Sequence, residues 1–297
     1  FYAQEQYDIA ITSYQKAIEL NPEFAEAHNN LGNILKTRGH LKDALKSYQA
    51  ALSINPDFTE GYYNLGVVYK ELGEYETAVE HYEKAISIKP DYAEAHNNLG
   101  LVLNDLGQFD LAILNYNKAI TYKPNFFQAY NNLGLSLNNI EMFKEALESF
   151  QFAINIYPDY CDAYFNTGIT YYNLGDLNQA IEYYKIALKI NPQFAKAYCN
   201  LGIVFREISE FDTALESYQT ALQINPNYTE VYNNIGILYY DMRLFDLSLV
   251  SYKKAISLAP DHIDPWINLS FSQLVSGNFK EGWINYERRR NNSAYNT

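Results

Sequence analysis

The sequence has few of the residues that a catalytic site, a disulfide framework or a membrane span requires. Only 2 of its 297 residues are cysteine, and so few thiols are typical of a reduced, intracellular compartment. No apolar run approaches the roughly 18 residues of a membrane-spanning helix. The sequence also lacks a glycine-rich phosphate loop, a nucleophile elbow and a metal-ligand spacing. We therefore expect a cytoplasmic protein that is not an enzyme and that binds no metal or cofactor.

Basic residues are scarce as well. Lys and Arg together number 22 against 35 Asp and Glu, which gives a formal net charge of -13. Proteins that bind a nucleic-acid backbone do so through cationic side chains, so this charge argues against a nucleic-acid partner. It favours a basic or neutral protein or peptide partner, although an acidic surface also serves solubility.

The sequence repeats one plan with a period of 34 residues. Proline marks the period at Pro22, Pro56, Pro90, Pro124, Pro158, Pro192, Pro226 and Pro260. A fixed period of this length is typical of proteins that grow by stacking one structural unit on the next. The period therefore overrides the two globular domains that the length alone suggests.

Each repeat predicts two helices joined by a turn. We number the positions of a repeat from the residue equivalent to Ala25, so that positions 4, 7, 8 and 11 form one stripe of a first helix. Gly39 at position 15 breaks the stripe as a turn does, and a second stripe runs from Leu41 to Leu52. Pro56 ends the second helix because proline lacks the backbone N–H and disfavours helical geometry before it.

Small residues at fixed positions predict close packing between these helices. Position 8 is glycine in seven repeats, and positions 20 and 27 are mostly alanine. A glycine inside a helix costs about 1 kcal/mol relative to alanine, so its recurrence indicates that backbones approach closely there. Large side chains at position 24, mostly tyrosine, would fill the space between neighbours.

This pattern of Leu-Gly, Ala, aromatic, Ala and Pro resembles the tetratricopeptide repeat family over the whole chain. The resemblance implies an all-α fold, a right-handed α-solenoid superhelix of stacked helix-turn-helix repeats whose first helices line the inner wall. Residues 1–24 would form a partial repeat, mainly its second helix. Eight repeats would follow over residues 25–296, with the boundaries 25–58, 59–92, 93–126, 127–160, 161–194, 195–228, 229–262 and 263–296.

The two ends of the sequence differ from its middle. Phe1 falls inside a predicted first helix, so we expect the sequence to be a piece of a longer array. The last repeat is a divergent cap, in which Ser270, Gly282 and Arg289 replace the small residues of positions 8, 20 and 27. Residues 277–288 resemble the closing motif of repeat arrays that precede glycosyltransferase domains.

The first helix leaves one surface outside its packing stripe, at positions 2, 6, 9 and 13, and we call this surface the groove face. Position 2 is mostly acidic. Position 6 is asparagine in all eight repeats, at Asn30, Asn64, Asn98, Asn132, Asn166, Asn200, Asn234 and Asn268. Position 9 is apolar in most repeats, and its candidate binding residues are Val67, Leu101, Leu135, Ile169, Ile203 and Ile237.

An asparagine side chain offers both a donor and an acceptor to the backbone of an extended peptide. Helices packed roughly 8–10 Å apart would present one asparagine for about every three peptide residues, because an extended chain rises about 3.3 Å per residue. Each bond nets only about 0.5–1.5 kcal/mol, so a micromolar complex, which needs about −8 kcal/mol, requires several asparagines and the apolar row.

This asparagine row resembles the asparagine ladder of the O-linked N-acetylglucosamine transferases, which holds the backbone of protein substrates. The resemblance implies a protein–protein interaction module that binds an extended peptide in its concave groove. One alternative is the substrate-recruiting arm of a glycosyltransferase whose catalytic domain is absent from this chain. Another is a self-associating scaffold, with homo-oligomers. A further alternative is that the asparagine is inherited by repeat duplication and only solvates the inner wall.

Two histidines occupy position 4, where other repeats have tyrosine or tryptophan. His28 and His96 would therefore pack between helices rather than bind a metal.

Overall fold

The computed structural model describes residues 2–288, and side chains from residue 6 onward. Arg289, the position-27 residue of the predicted cap, lies outside the described residues. The described part consists of helices joined by turns. These helices are α1 (Tyr2–Leu20), α2 (Ala25–Thr37), α3 (Leu41–Ile54), α4 (Thr59–Glu71), α5 (Tyr75–Ile88), α6 (Ala93–Asp105), α7 (Phe109–Tyr122), α8 (Phe127–Asn139), α9 (Phe143–Ile156), α10 (Cys161–Asn173), α11 (Leu177–Ile190), α12 (Ala195–Glu207), α13 (Phe211–Ile224), α14 (Thr229–Asp241), α15 (Phe245–Leu258), α16 (Ile263–Val275) and α17 (Phe279–Tyr286).

This architecture confirms the predicted all-α fold of helix-turn-helix repeats. Each first helix begins at the first residue of its repeat and has 13 residues, as α2 and α16 do. The second helices α3 to α15 have 14 residues, whereas α17 has 8 and α1, the helix of the partial repeat, has 19. None of the described helices combines the length and the apolar character that crossing a bilayer would require.

The chain divides into two compact units. We call residues 2–158 the N-terminal block and residues 159–288 the C-terminal block. Within each block, a first helix packs against the second helix of its own repeat, and that second helix packs against the next first helix. Each block is therefore a stack of helix pairs with a continuous apolar interior.

The turn at position 15 needs a left-handed backbone in every repeat that the structure describes there. Gly39 supplies it with φ 78°. Glu141, Ser209 and Arg243 take φ of 62°, 64° and 62° at the same position. The turn geometry is thus kept without glycine, at a cost of roughly 1–2 kcal/mol for each side chain in this region.

Glycine at position 8 lies directly under the aromatic ring at position 24. A Cβ built on Gly32 would lie 2.6 Å from Cε1 of Tyr48, and one on Gly202 would lie 2.4 Å from Cε1 of Tyr218. Both tyrosine side chains are 0% exposed. The close approach predicted from the recurring glycine is therefore a contact between backbone and ring, and it recurs in both blocks.

Candidate functional site

The position-6 asparagines lie at the boundary between the buried interior and the groove face. Asn64 and Asn166 are buried, each with 8% exposed. The other six are half-buried. Side chains in this setting can contact both a neighbouring repeat and a molecule bound outside.

In the N-terminal block, three of these asparagines donate an amide N–H to position 5 of the preceding repeat. The bonds, measured from the donor Nδ2, are Asn64 to Asn29 Oδ1 at 2.9 Å, Asn98 to the Tyr63 hydroxyl at 3.0 Å and Asn132 to Asn97 Oδ1 at 3.0 Å. Asn29 and Asn97 are each 6% exposed. These bonds link adjacent repeats through buried amide groups.

In the C-terminal block, the same asparagines find more varied acceptors. The bonds are Asn268 to Asn233 Oδ1 at 3.0 Å, Asn234 to Cys199 Sγ at 3.5 Å and Asn200 to the Tyr184 hydroxyl at 3.4 Å. A thiol sulfur is a weak acceptor. The links between repeats in this block are therefore weaker on average.

These links are a structural role that the sequence analysis did not predict. The signal was present, because Asn-Asn doublets at positions 5 and 6 recur at residues 29–30, 97–98, 131–132 and 233–234. Each link uses one N–H, whereas an amide has two N–H donors and a carbonyl oxygen. Binding capacity therefore remains on each linked side chain, and the peptide-binding role stays a prediction.

The apolar row at position 9 is half-buried from Val67 to Ile237. Val67, Leu101 and Leu135 pack against the buried core of the N-terminal block. Ile169 and Ile203 pack against the core of the C-terminal block. The row is thus part interior and part surface, as a groove lining needs to be.

One pocket of about 250 Å³ brings members of both rows together in the C-terminal block. It is lined by Ile169, Tyr172, Asn173, Tyr184, Asn200 and Ile203. The next members of the two rows, Asn234 and Ile237, do not line it. Two isoleucines supply apolar walls, and the amide of Asn200 lies beside the Tyr184 hydroxyl.

Two acidic side chains at position 13 of the groove face bond to position 12 of the preceding repeat. In the C-terminal block, Arg206 at position 12 donates to Asp241 at position 13 of the next repeat, with 2.9 Å between Nη1 and Oδ2. The Tyr172 hydroxyl makes the equivalent contact, donating to Glu207 Oε1. Burial, together with this carboxylate, raises the pKa of Tyr172 to about 12, so the phenol stays protonated and remains a donor at neutral pH.

The N-terminal block contains an ion pair at position 2. Lys123 Nζ lies 2.7 Å from Glu94 Oε1, and the hydrogen bond from Lys123 holds the pKa of that carboxyl below its usual range. Both side chains are 42% exposed, so solvent screens the pair and its contribution to stability is small.

Four of the position-4 side chains donate to the carbonyl oxygen of the proline near the end of the preceding repeat. His28 Nε2 lies 3.2 Å from Pro22 O, and His96 Nε2 lies 2.9 Å from Pro90 O. The same bond is made by Tyr232 to Pro226 and by Trp266 to Pro260. The two histidines therefore make the same structural hydrogen bond as the tyrosine and the tryptophan at this position. Among residues 2–288, no group of three or more His, Cys, Asp or Glu side chains could hold a metal ion.

Both cysteines are free thiols. Cys199 is 3% exposed, and burial raises its pKa to about 11. A protonated, buried thiol is a poor nucleophile, so Cys199 serves as an acceptor for Asn234 and not as a reactive group.

Comparison with protein families matches this chain to repeat models along nearly its whole length. Models described as "TPR repeat" match residues 1–39, 32–73, 68–107 and 102–139. Models described as "Tetratricopeptide repeat" match residues 127–160, 161–194, 195–228 and 229–262. No curated protein matches the chain.

Several solved structures share the architecture. YrrB, described as a TPR protein with an unusual peptide-binding site, is 32% identical with a TM-score of 0.52, over 62% of this chain and 95% of its own. MamA is 28% identical with a TM-score of 0.51, over 56% of this chain and 97% of its own. The Cut9–Hcn1 structure of the APC/C covers 90% of this chain and 52% of its own with a TM-score of 0.68, but at 18% identity it shows the fold alone.

Proposed function

The chain belongs to the tetratricopeptide repeat family and is a protein–protein interaction module, and we propose that it binds an extended peptide along its groove face. The observation that carries the proposal is the asparagine at position 6 of every repeat. In the described structure, six of these asparagines are tied by hydrogen bonds to neighbouring groups. The ties hold the amides in place before a peptide arrives, which lowers the entropy that binding costs.

The groups left on each amide suit a peptide backbone. The carbonyl oxygen can accept from a peptide N–H, and the second N–H can donate to a peptide carbonyl. Neither bond depends on the peptide side chain. The apolar row at position 9 then adds contact area beside the backbone, from Val67 in the N-terminal block to Ile237 in the C-terminal block.

The proposed ligand is a basic or neutral protein segment, in keeping with the formal net charge of -13. YrrB, at 32% identity, is described as having a peptide-binding site, which supports a peptide as the class of ligand. Tetratricopeptide repeats are typically non-catalytic, and we propose no reaction for this chain. We place the protein in the cytoplasm, because a reducing compartment suits its two free cysteines.

The experiment compares two double variants that break the same inter-repeat bonds from opposite sides. Asn64→Ala with Asn132→Ala removes the donors, and Asn29→Ala with Asn97→Ala removes their acceptors. Both lose two links between repeats, and the second also loses the 3.3 Å bond from Asn97 Nδ2 to Asn98 Oδ1, so it should lose at least as much thermal stability as the first. Only the first removes position-6 amides, so only the first should lose affinity for peptides that the wild-type protein selects from a random phage-displayed library.

Fluorescence anisotropy with those selected peptides gives the readout. We expect affinity to fall at least fivefold in the donor variant and less than twofold in the acceptor variant. Equal affinity in the two variants would remove the peptide-binding role and leave the asparagines as structural links. The glycosyltransferase-arm and self-association alternatives stay predictions.

A further inference from the structure

We propose that the pocket lined by Ile169, Asn200 and Ile203 accepts one bulky apolar side chain of a peptide that carries lysine or arginine beside it. This inference rests on the proposed function and adds to it the class of peptide. The pocket lies in the C-terminal block, between α10, α11 and α12. We call it the side-chain subsite.

The size of the subsite selects a side chain over a small molecule. Its volume is about 250 Å³, whereas pockets that bury drug-sized ligands measure ~300–1,000 Å³. The walls from Ile169 and Ile203 provide dispersion contacts for leucine, methionine or phenylalanine. A small side chain would leave these walls in contact with water. A charged side chain would be desolvated without a partner.

The polar groups of the subsite fit the backbone next to that side chain. Asn200 donates one N–H to the Tyr184 hydroxyl at 3.4 Å, and Tyr184 is 1% exposed. This bond directs the amide of Asn200 along the subsite wall. The amide oxygen and the second N–H can then bond the peptide backbone at the anchored residue, so that one repeat holds both the main chain and its side chain.

The charge around the subsite indicates basic flanking residues. Tyr172 lines the subsite, and its hydroxyl donates to Glu207, which places a carboxylate at the rim. Arg206 is already paired with Asp241. The acidic residues at positions 2 and 13 of this block are Asp162, Glu207, Glu230, Asp241 and Asp264, against Lys196 as the one base at these positions. A peptide with lysine or arginine beside its apolar residue therefore complements this surface.

The test selects peptides from a random phage-displayed library with the wild-type protein, and then scans each selected peptide with alanine. We expect the selected peptides to share one Leu, Met or Phe with Lys or Arg nearby. Replacing that apolar residue by alanine should weaken binding to wild-type protein about tenfold or more, as expected for losing a buried side chain. Selected peptides without a shared apolar position would overturn the subsite.

Variants that fill the subsite test whether the preference for an apolar anchor residue depends on the residues that line it. Ile203→Phe fills the subsite from its wall, and Asn173→Phe fills it from the exposed rim without touching the core. In both, alanine in place of the apolar anchor should cost less than twofold. The matched controls Ile237→Phe and Asn139→Phe occupy the same repeat positions elsewhere. Their overall affinity can change, because they lie on the groove face, but in both the tenfold dependence on the apolar anchor should persist.

The outcomes separate this inference from the proposed function. If Ile203→Phe and Asn173→Phe both keep the tenfold dependence on the apolar residue, the subsite is wrong while peptide binding stands. If the wild-type protein enriches no peptide over a non-binding phage background, the proposed function fails and the subsite fails with it.

Discussion

The two blocks contain the same asparagine at position 6 but give it different neighbours. In the N-terminal block, Asn64 and Asn132 bond to amide oxygens at position 5, at 2.9 Å and 3.0 Å. In the C-terminal block, position 5 before Asn200 is Phe165, which has no acceptor. The amide of Asn200 bonds the Tyr184 hydroxyl instead, at 3.4 Å, and lines the pocket.

The difference indicates that the residue at position 5 decides which acceptor the position-6 asparagine of the next repeat uses. Where position 5 offers an amide oxygen, the asparagine is drawn against the preceding repeat. Where it offers a phenyl ring, the ring packs on Tyr184 and Phe194, with centroids 5.7 Å and 4.8 Å away, and the asparagine lines a cavity. A groove face with a uniform asparagine row therefore gives these asparagines different local surroundings from repeat to repeat.

The largest expected effect concerns a contact that both blocks share, between the glycine at position 8 and the ring at position 24. Gly100→Ala and Gly202→Ala place a methyl group 2.6 Å from Tyr116 Cε1 and 2.4 Å from Tyr218 Cε1. Each should lose about 1–3 kcal/mol of stability, because a fully packed ring has no space into which to move. Urea unfolding followed by circular dichroism measures the loss. A loss below about 0.5 kcal/mol in one block alone would mean that its rings can shift and that the two cores differ.

A substitution at position 5 should give Asn200 the kind of contact that its counterparts make in the N-terminal block. Phe165→Asn restores an acceptor at position 5, so Asn200 should turn toward it and leave the pocket. We expect binding of an apolar-anchored library peptide to weaken by about fivefold to tenfold. Phe165→Leu, which also removes the ring but adds no acceptor, is the control for lost packing. If both variants weaken binding equally, the ring itself and not the missing acceptor shapes the pocket.

The last comparison concerns the links between repeats, and it includes the smallest expected effect, that of Asn234→Ala. Asn132→Ala leaves the buried Asn97 oxygen without its donor and should cost about 1–3 kcal/mol. Asn234→Ala removes only a 3.5 Å contact to the Cys199 sulfur, and we expect a loss below about 0.5 kcal/mol. Differential scanning fluorimetry on the two single variants measures the difference. Equal shifts in melting temperature would contradict the ranking of amide and thiol acceptors.

Much of the fold could be predicted from the sequence because its signals are local and periodic. The stripe at positions 4, 7, 8 and 11, the turn residue at Gly39 and the ending at Pro56 are each decided within one repeat. Even the turns at Glu141 and Ser209 keep the left-handed backbone without glycine, since the surrounding helices determine it.

The site was harder to predict because it depends on pairs of repeats. Whether Asn200 meets an amide, a thiol or a phenol depends on residues 16 to 35 positions earlier, such as Tyr184 and Phe165. The sequence showed which residues share the groove face. It did not show which side chain each asparagine bonds.

The contact between position 4 and the proline carbonyl has a consequence for how related sequences are aligned. His28, Tyr232 and Trp266 differ in size and acidity. Each nevertheless donates a hydrogen bond to the main-chain oxygen of the equivalent proline. A substitution score based on aromatic similarity accepts phenylalanine at this position as readily as tyrosine, although phenylalanine has no N–H or O–H to donate. A profile that instead rewards any ring bearing an N–H or O–H at this place, and penalises phenylalanine, would recognise diverged repeats that ordinary scoring overlooks.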